Sequence, residues 1–141
     1  MKELAANKEI MVRFSEVGPT GVVKSVAYAH YFEDAREEFG RKYGLEYMRM
    51  AKNSFAAPLV ELTFKAIRPM YYERPYSVAI RYIPTEAAKI LFRYEITDLQ
   101  SGEVVVTGKT LQVFMDMEYR LLWYKPDYYI AWQKRWEVME G

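Results

Sequence analysis

There is no cysteine in the 141 residues and only one histidine, His30. The first absence excludes disulfides and a thiol nucleophile, and removes the sulfur ligands of most structural zinc sites. The second excludes multi-histidine centres, so neither a metal nor a cofactor is expected. Charge of one sign is scarce as well. Twenty Lys and Arg against nineteen Asp and Glu leave a net +1, which argues for neither a nucleic-acid nor a membrane partner. No run approaches the ~18 apolar residues that cross a bilayer. The opening Met1-Lys-Glu-Leu-Ala-Ala-Asn-Lys-Glu9 is polar, with no apolar signal core. A cytoplasmic protein is the expectation. Internal repeats and low-complexity segments are missing too.

Aromatic residues are plentiful: 13 Tyr, 7 Phe and 3 Trp. Tyrosine pairs a large apolar body with a polar tip, which suits a sheet core, an interface or a narrow ligand cleft. The length fits one domain, residues 1–141, able to bury a core of its own.

The most ordered stretch runs over residues 25–43. Tyr28, Tyr31, Phe32, Ala35 and Phe39 recur at the spacing of one helical face. Ser25 is placed to cap the first turn, and Gly44 to end the helix in a left-handed conformation. Beside the apolar stripe, Ala29, Glu33, Arg36 and Gly40 share a flank, with Glu33 and Arg36 at i, i+3. Such a pair is either a solvated surface pair or a packed one that small neighbours allow something to approach. His30 lies on the far side and is expected in solvent.

Around this helix the chain predicts a strand at 10–15, a Gly/Pro turn at 16–21 and a short helical segment at 45–52. The period then changes to two. Strands are expected at 59–66 (Val60, Leu62, Phe64 and Ala66 on one face), 76–83, 89–98 and 104–116, and a terminal helix at 125–139. The short links predict antiparallel neighbours. The fold class is therefore α+β: one long helix packed on an antiparallel sheet of about five strands, plus a C-terminal helix.

Several motifs resemble those of hot-dog fold thioesterases of the 4-hydroxybenzoyl-CoA / acyl-CoA thioesterase family. They are Val12-Arg-Phe-Ser-Glu-Val17, Gly21-Val-Val23, Tyr28, Tyr31-Phe-Glu-Asp-Ala-Arg-Glu37, the Arg68-Pro69 loop and Gly108-Lys-Thr-Leu-Gln-Val-Phe114. The likeness spans roughly residues 8–136. It implies a hot-dog fold and hydrolysis of an acyl-CoA or carrier-bound acyl thioester by a homo-oligomer, dimer or tetramer, with the sheets of a dimer joined edge to edge.

The resemblance also implies site residues. Family members carry an acid three positions before the glycine of Gly-Val-Val, where this chain has Gly18. They often carry an aromatic residue and a histidine at what are here Lys24 and Ser25, and an asparagine at Ala27. The candidate catalytic residues are thus Gly18, Ser25, Glu33 and Arg36. Glu33 would replace the missing carboxylate and Arg36 would orient it. Substrate contacts are expected from Val26, Ala27, Tyr28 and Glu61, the N–H groups of 26–28 holding the thioester oxygen as it becomes anionic. Two further readings stand beside the hydrolase: a hot-dog protein that binds an acyl or aromatic ligand without turning it over, and a dehydratase or interaction subunit. Dehydratases of this fold use a histidine, and His30 sits on the wrong side of the helix.

Overall fold

The computed structural model describes residues 2–139. Five strands and three helices follow one another as β1 (Ala5–Met11), α1 (Ala27–Tyr43), α2 (Tyr47–Lys52), β2 (Leu59–Ala66), β3 (Pro75–Ile83), β4 (Lys89–Asp98), β5 (Val104–Val113) and α3 (Asp127–Arg135). The strands make one antiparallel sheet in the order β1-β3-β4-β5-β2. Helix α1 lies across one face, so the α+β expectation holds.

Two expectations need correcting. The first strand is Ala5–Met11, not 10–15, and Phe14–Glu16 is a single 3-10 turn. The apolar run from Ile10 to Phe14 suggested the later boundary. Pairing with β3 decides otherwise, because the ladder runs from Ala5↔Arg81 to Met11↔Pro75 and ends on a residue without an N–H to offer. The second correction concerns β2 and β3. Their connection, residues 67–74, is short, yet it crosses from one edge of the sheet to the interior of the other half. It is held on the way by Val23 N–H to Met70 O at 2.8 Å and Tyr72 N–H to Gly21 O at 3.0 Å. Short links therefore predicted neighbours correctly only for β3–β4–β5.

Alternation fixes the faces. Tyr76, Val78, Ile80 and Tyr82 of β3 and Ile90, Phe92, Tyr94 and Ile96 of β4 are buried toward α1. From the helix, Tyr28, Tyr31, Phe32, Ala35 and Phe39 meet them, the stripe predicted from spacing. Burying this aromatic layer stabilises the fold by ~25 cal/mol per Å² of apolar surface removed from water. Its tightest point is Gly108 of β5. The Phe32 ring occupies the space a Cβ there would need, with Thr63 O another 3.0 Å from that position, and the same ring stacks on Tyr94 at 4.5 Å. Gly102, at φ +77°, closes the β4–β5 hairpin with its N–H 2.7 Å from Asp98 O.

β2 behaves differently. The alternation of Leu62, Phe64 and Ala66 is present, broken by a bulge between Leu59 and Glu61. As an edge strand it has nothing on its second side, so Val60 and Phe64 remain 50% and 43% exposed. Among the described residues no helix is long and apolar enough to cross a membrane.

Candidate active site

The N-terminal end of α1 is open. Val26 is the N-cap with helical φ and ψ, and no side chain caps it; Ser25, expected to do so, is exposed with its hydroxyl unbonded to the helix. The first turn is wound one step early instead. Ala27 N–H donates to Lys24 O at 3.0 Å and Tyr28 N–H to Ser25 O at 3.1 Å. Two of the three expected oxyanion donors are therefore already used. Among the described residues, the N–H groups of Ser25 and Val26 have no acceptor, and Val26 is 75% exposed. The positive end of the helix dipole is thus presented one residue earlier than spacing suggested.

Beside this end stands Tyr28, packed edge-on against Phe64 of β2 at 5.0 Å, its phenol pushed above its ordinary pKa by burial. The loop before the helix is a small hairpin. Val17 and Val23 bridge across it, Gly18 N–H donates to Val22 O at 2.9 Å, and Gly21, at φ +78°, closes it. A Cβ on Gly18 would meet only Val22 O, at 3.9 Å, so the position has room for a side chain. Glu16 is engaged locally. Its carboxylate accepts the Arg13 N–H at 2.7 Å and the Tyr31 hydroxyl at 2.9 Å, and burial together with that bond raises the Tyr31 pKa strongly.

The charged flank of α1 is not an ion pair. Arg36 is buried at 1% exposure, and its donors go elsewhere: Nε to Gln112 Oε1 at 3.1 Å and Nη2 to Leu45 O at 3.0 Å. The guanidinium lies between the rings of Tyr47, at 4.9 Å, and Phe92, at 5.1 Å. Gly40 makes this possible, since a Cβ there would sit 3.1 Å from Nη1. Burial lowers the Arg36 pKa, with Tyr47, Tyr94 and Glu33 acting in the opposite direction. The carboxylate of Glu33, half-buried, accepts instead from the Tyr47 hydroxyl at 3.2 Å. Arg36 reaches Glu33 only through Tyr47, whose own pKa is pushed up to about 12 by desolvation of its hydroxyl, Arg36 pulling the other way.

Glu61 lies opposite Leu111 on the outer face of the sheet, away from Tyr28 and Glu33 within one chain. His30 is exposed. The structure thus gathers Ser25, Val26, Tyr28 and Phe64 at one end of the helix. Gly18 sits nearby in the loop, and Glu33 lies two turns along, about 10 Å from Val26 at ~1.5 Å per residue.

The family model described as "Thioesterase-like superfamily" matches residues 12–136. The chain belongs to the thioesterase-like superfamily. It is 32% identical over 112 residues to the acyl-acyl carrier protein thioesterase ATL3, a chloroplast protein of Arabidopsis thaliana, covering 79% of this chain and 59% of that one. It spans about 60% of the length of both matched plant relatives. A putative acyl-CoA thioesterase, YneP of Bacillus subtilis, is 23% identical and covered over 96% of its length. The DHNA-CoA thioesterase of Staphylococcus aureus superposes with a TM-score of 0.82 at 25% identity, over 95% of this chain and 92% of that one. With these neighbours the architecture is the hot-dog fold that the sequence motifs resembled.

Within this thioesterase-like chain, the residues around Glu33 that the sequence did not mark are Tyr47 and Gln112. Gln112 Nε2 also donates to Ala57 O at 2.6 Å. A signal existed, because alternation along β5 puts Thr110 and Gln112 on the helix-facing side, where polar residues need a partner.

Proposed function

We propose that the chain hydrolyses an acyl thioester, carried by CoA or by a carrier protein, and works as a homodimer joined edge to edge through β2. The observation that carries this is the pair of unbonded N–H groups, Ser25 and Val26, at the start of a 17-residue helix in a chain of the thioesterase-like superfamily. Donors fixed in advance stabilise a carbonyl oxygen as it gains charge in the tetrahedral transition state, and need no reorganisation to do so.

The carboxylate is the harder part. Gly18 cannot supply one, and Glu33 of the same chain is too far along the helix to serve a carbonyl bound at Val26. A second copy resolves this if it brings its Glu33 flank to the first copy's helix start, where Glu33 attacks or activates water. Arg36 and Gln112 hold Tyr47, and Tyr47 orients Glu33. Val26, Ala27 and Tyr28 line the acyl end, and Glu61 approaches substrate only from across the dimer. The exposed apolar edge supports the pairing: Leu59, Val60, Phe64 and Ile67 are 37–51% exposed, whereas a free edge strand is normally blunted by charge. The usual acid position being glycine makes the loop an altered one, and a cytoplasmic site of action fits a substrate of this kind.

Incubating the purified chain with aliphatic and aromatic acyl-CoAs, and reading released thiol alongside thermal shift, tests the proposal. Thiol release that Glu33→Gln lowers by about 10² or more, with melting unchanged, is the expected result. Thermal shift without release would replace hydrolysis by ligand binding alone. Light scattering that returned a single 16.7 kDa chain would remove the dimer.

A further inference from the structure

The outer face of the sheet, turned away from α1, concentrates charge that the chain as a whole does not have. Arg81 of β3 lies opposite Arg93 of β4, and Arg93 opposite Lys109 of β5. Three cations thus stand abreast on adjacent strands, about 4.8 Å apart. Lys65 of β2 sits one row along on the same face, opposite Thr107. All four are exposed. None of the ion pairs or side-chain hydrogen bonds found among the described residues engages any of them. Like charges directly opposite across a sheet cost stability, so this row is a feature that packing alone does not reward.

These four line a trough of about 680 Å³ whose floor includes the small side chains of Ala5, Ala79 and Thr107. Glu95 is the one acidic residue lining it. Four cations against one anion make a net +3 patch in a chain of net +1. Glu61 and Glu9 lie on the same face a row or two away, outside the trough, and neither is in an ion pair among the described residues. Along one side of the cation row runs an apolar one, Ile83, Leu91 and Leu111, paired in register and half-buried.

We propose that this face docks an acidic amphipathic helix of a partner protein, laid across the strands. Carboxylates at i, i+4 and i+7 recur every 5–6 Å on a helix, close to the ~4.8 Å between strands. Each cation then meets one carboxylate, while the apolar side chains beside them meet Ile83, Leu91 and Leu111. A second copy of this chain does not fit, because it would bring the same positive face. A nucleic acid would satisfy the cations but leave the apolar row unused, and neither ring lining the trough faces into it. Tyr94 and Phe64 at this level point the other way, onto Phe32 and Tyr28. The proposal stands whether or not the chain hydrolyses thioesters.

The test is fluorescence anisotropy with a stapled helical peptide that carries glutamates at those spacings and leucines beside them. Wild-type protein is expected to bind it, more weakly as salt rises. The combined variant Arg81→Gln, Arg93→Gln and Lys109→Gln should lose about tenfold in affinity, while Lys52→Gln on α2 changes nothing. If the triple variant fails to fold by circular dichroism, Arg93→Gln alone should lose about threefold. No binding by wild type, or equal binding by the triple variant, overturns the proposal. So does equal affinity for a scrambled peptide of the same composition or for a single-stranded oligonucleotide. A change in sedimenting mass on mutating the row would also overturn it, by making the face an interface between copies.

Discussion

The two ends of α1 are built on opposite terms. At its C-terminal end the carbonyls of Gly40, Tyr43, Gly44 and Leu45 each find a partner. Gly44, at φ +77°, turns its N–H back to Gly40 O at 2.8 Å. Tyr43 O accepts both indoles of the terminal helix region, Trp132 Nε1 at 2.8 Å and Trp136 Nε1 at 2.9 Å. The Tyr128 hydroxyl donates to Gly44 O at 2.7 Å, and Arg36 to Leu45 O. At the N-terminal end, by contrast, Val26 stands uncapped and two N–H groups have no acceptor among the described residues. Stability is placed at one end of the helix, and hydrogen-bonding capacity is left unspent at the other.

The largest expected effect strikes the sealed end. Trp132→Ala should cost about 3–5 kcal/mol in chemical denaturation, because it opens a cavity among Phe39, Tyr82 and Tyr129 and strips Tyr43 O of a donor. A loss under about 1 kcal/mol would mean the two ends differ less than their bonding suggests.

At the open end the expected outcome is reversed. Ser25→Pro removes an N–H that bonds to nothing, at the second position of the Lys24–Ala27 turn, where proline is favoured. Melting should move by less than about 1 kcal/mol, while turnover of a thioester substrate falls about 10²- to 10³-fold. Ser25→Ala separates the hydroxyl from the N–H and should leave turnover near wild type.

Arg36→Met probes the middle of the helix. It strands Gln112 Oε1 and Leu45 O, a cost of about 1–3 kcal/mol for each buried acceptor, partly offset by relief of a desolvated cation. A net loss of about 2 kcal/mol in melting is expected. A stabilised variant would show that the guanidinium is kept for Tyr47 and Glu33 alone.

Gly18→Asp should raise thioesterase turnover by about tenfold or more, since the loop has room for the side chain and no positive φ to oppose it. An equally slow variant would show that this loop does not face the substrate.

The smallest effect belongs to the β4–β5 hairpin. Burial would raise the Asp98 pKa, but the Gln100 N–H and Arg74, whose Nη2 is 2.7 Å away, hold it below the ordinary 3.8. A carboxylate with a depressed folded-state pKa stabilises above its unfolded value and loses that contribution as pH falls through the folded one. Melting temperature should therefore drop below about pH 4, and Asp98→Asn should flatten that drop without altering turnover.

Spacing alone located the long helix, its inward stripe, the glycine that ends it and four of the five strands, because periodicities of 3.6 and 2 are local properties. The candidate site was only partly readable. Glu33 and Arg36 were marked as neighbours from i, i+3 spacing, but spacing cannot tell that a guanidinium turns inward. Gln112 and Leu45, 76 and 9 residues away, decided that. Ser25 looked like a cap, and the early turn from Lys24 made it an open donor instead.

The layer architecture, the buried face and the family are legible in the chain, since they follow from pattern and motif. Tertiary structure alone decided that β2 and β3 part company across the sheet, that Arg36 and Glu33 do not pair, and that Arg81, Arg93 and Lys109 stand abreast. Each of these depends on register between distant strands or on where a flexible side chain finds its acceptor, and neither is written in any local window of the chain.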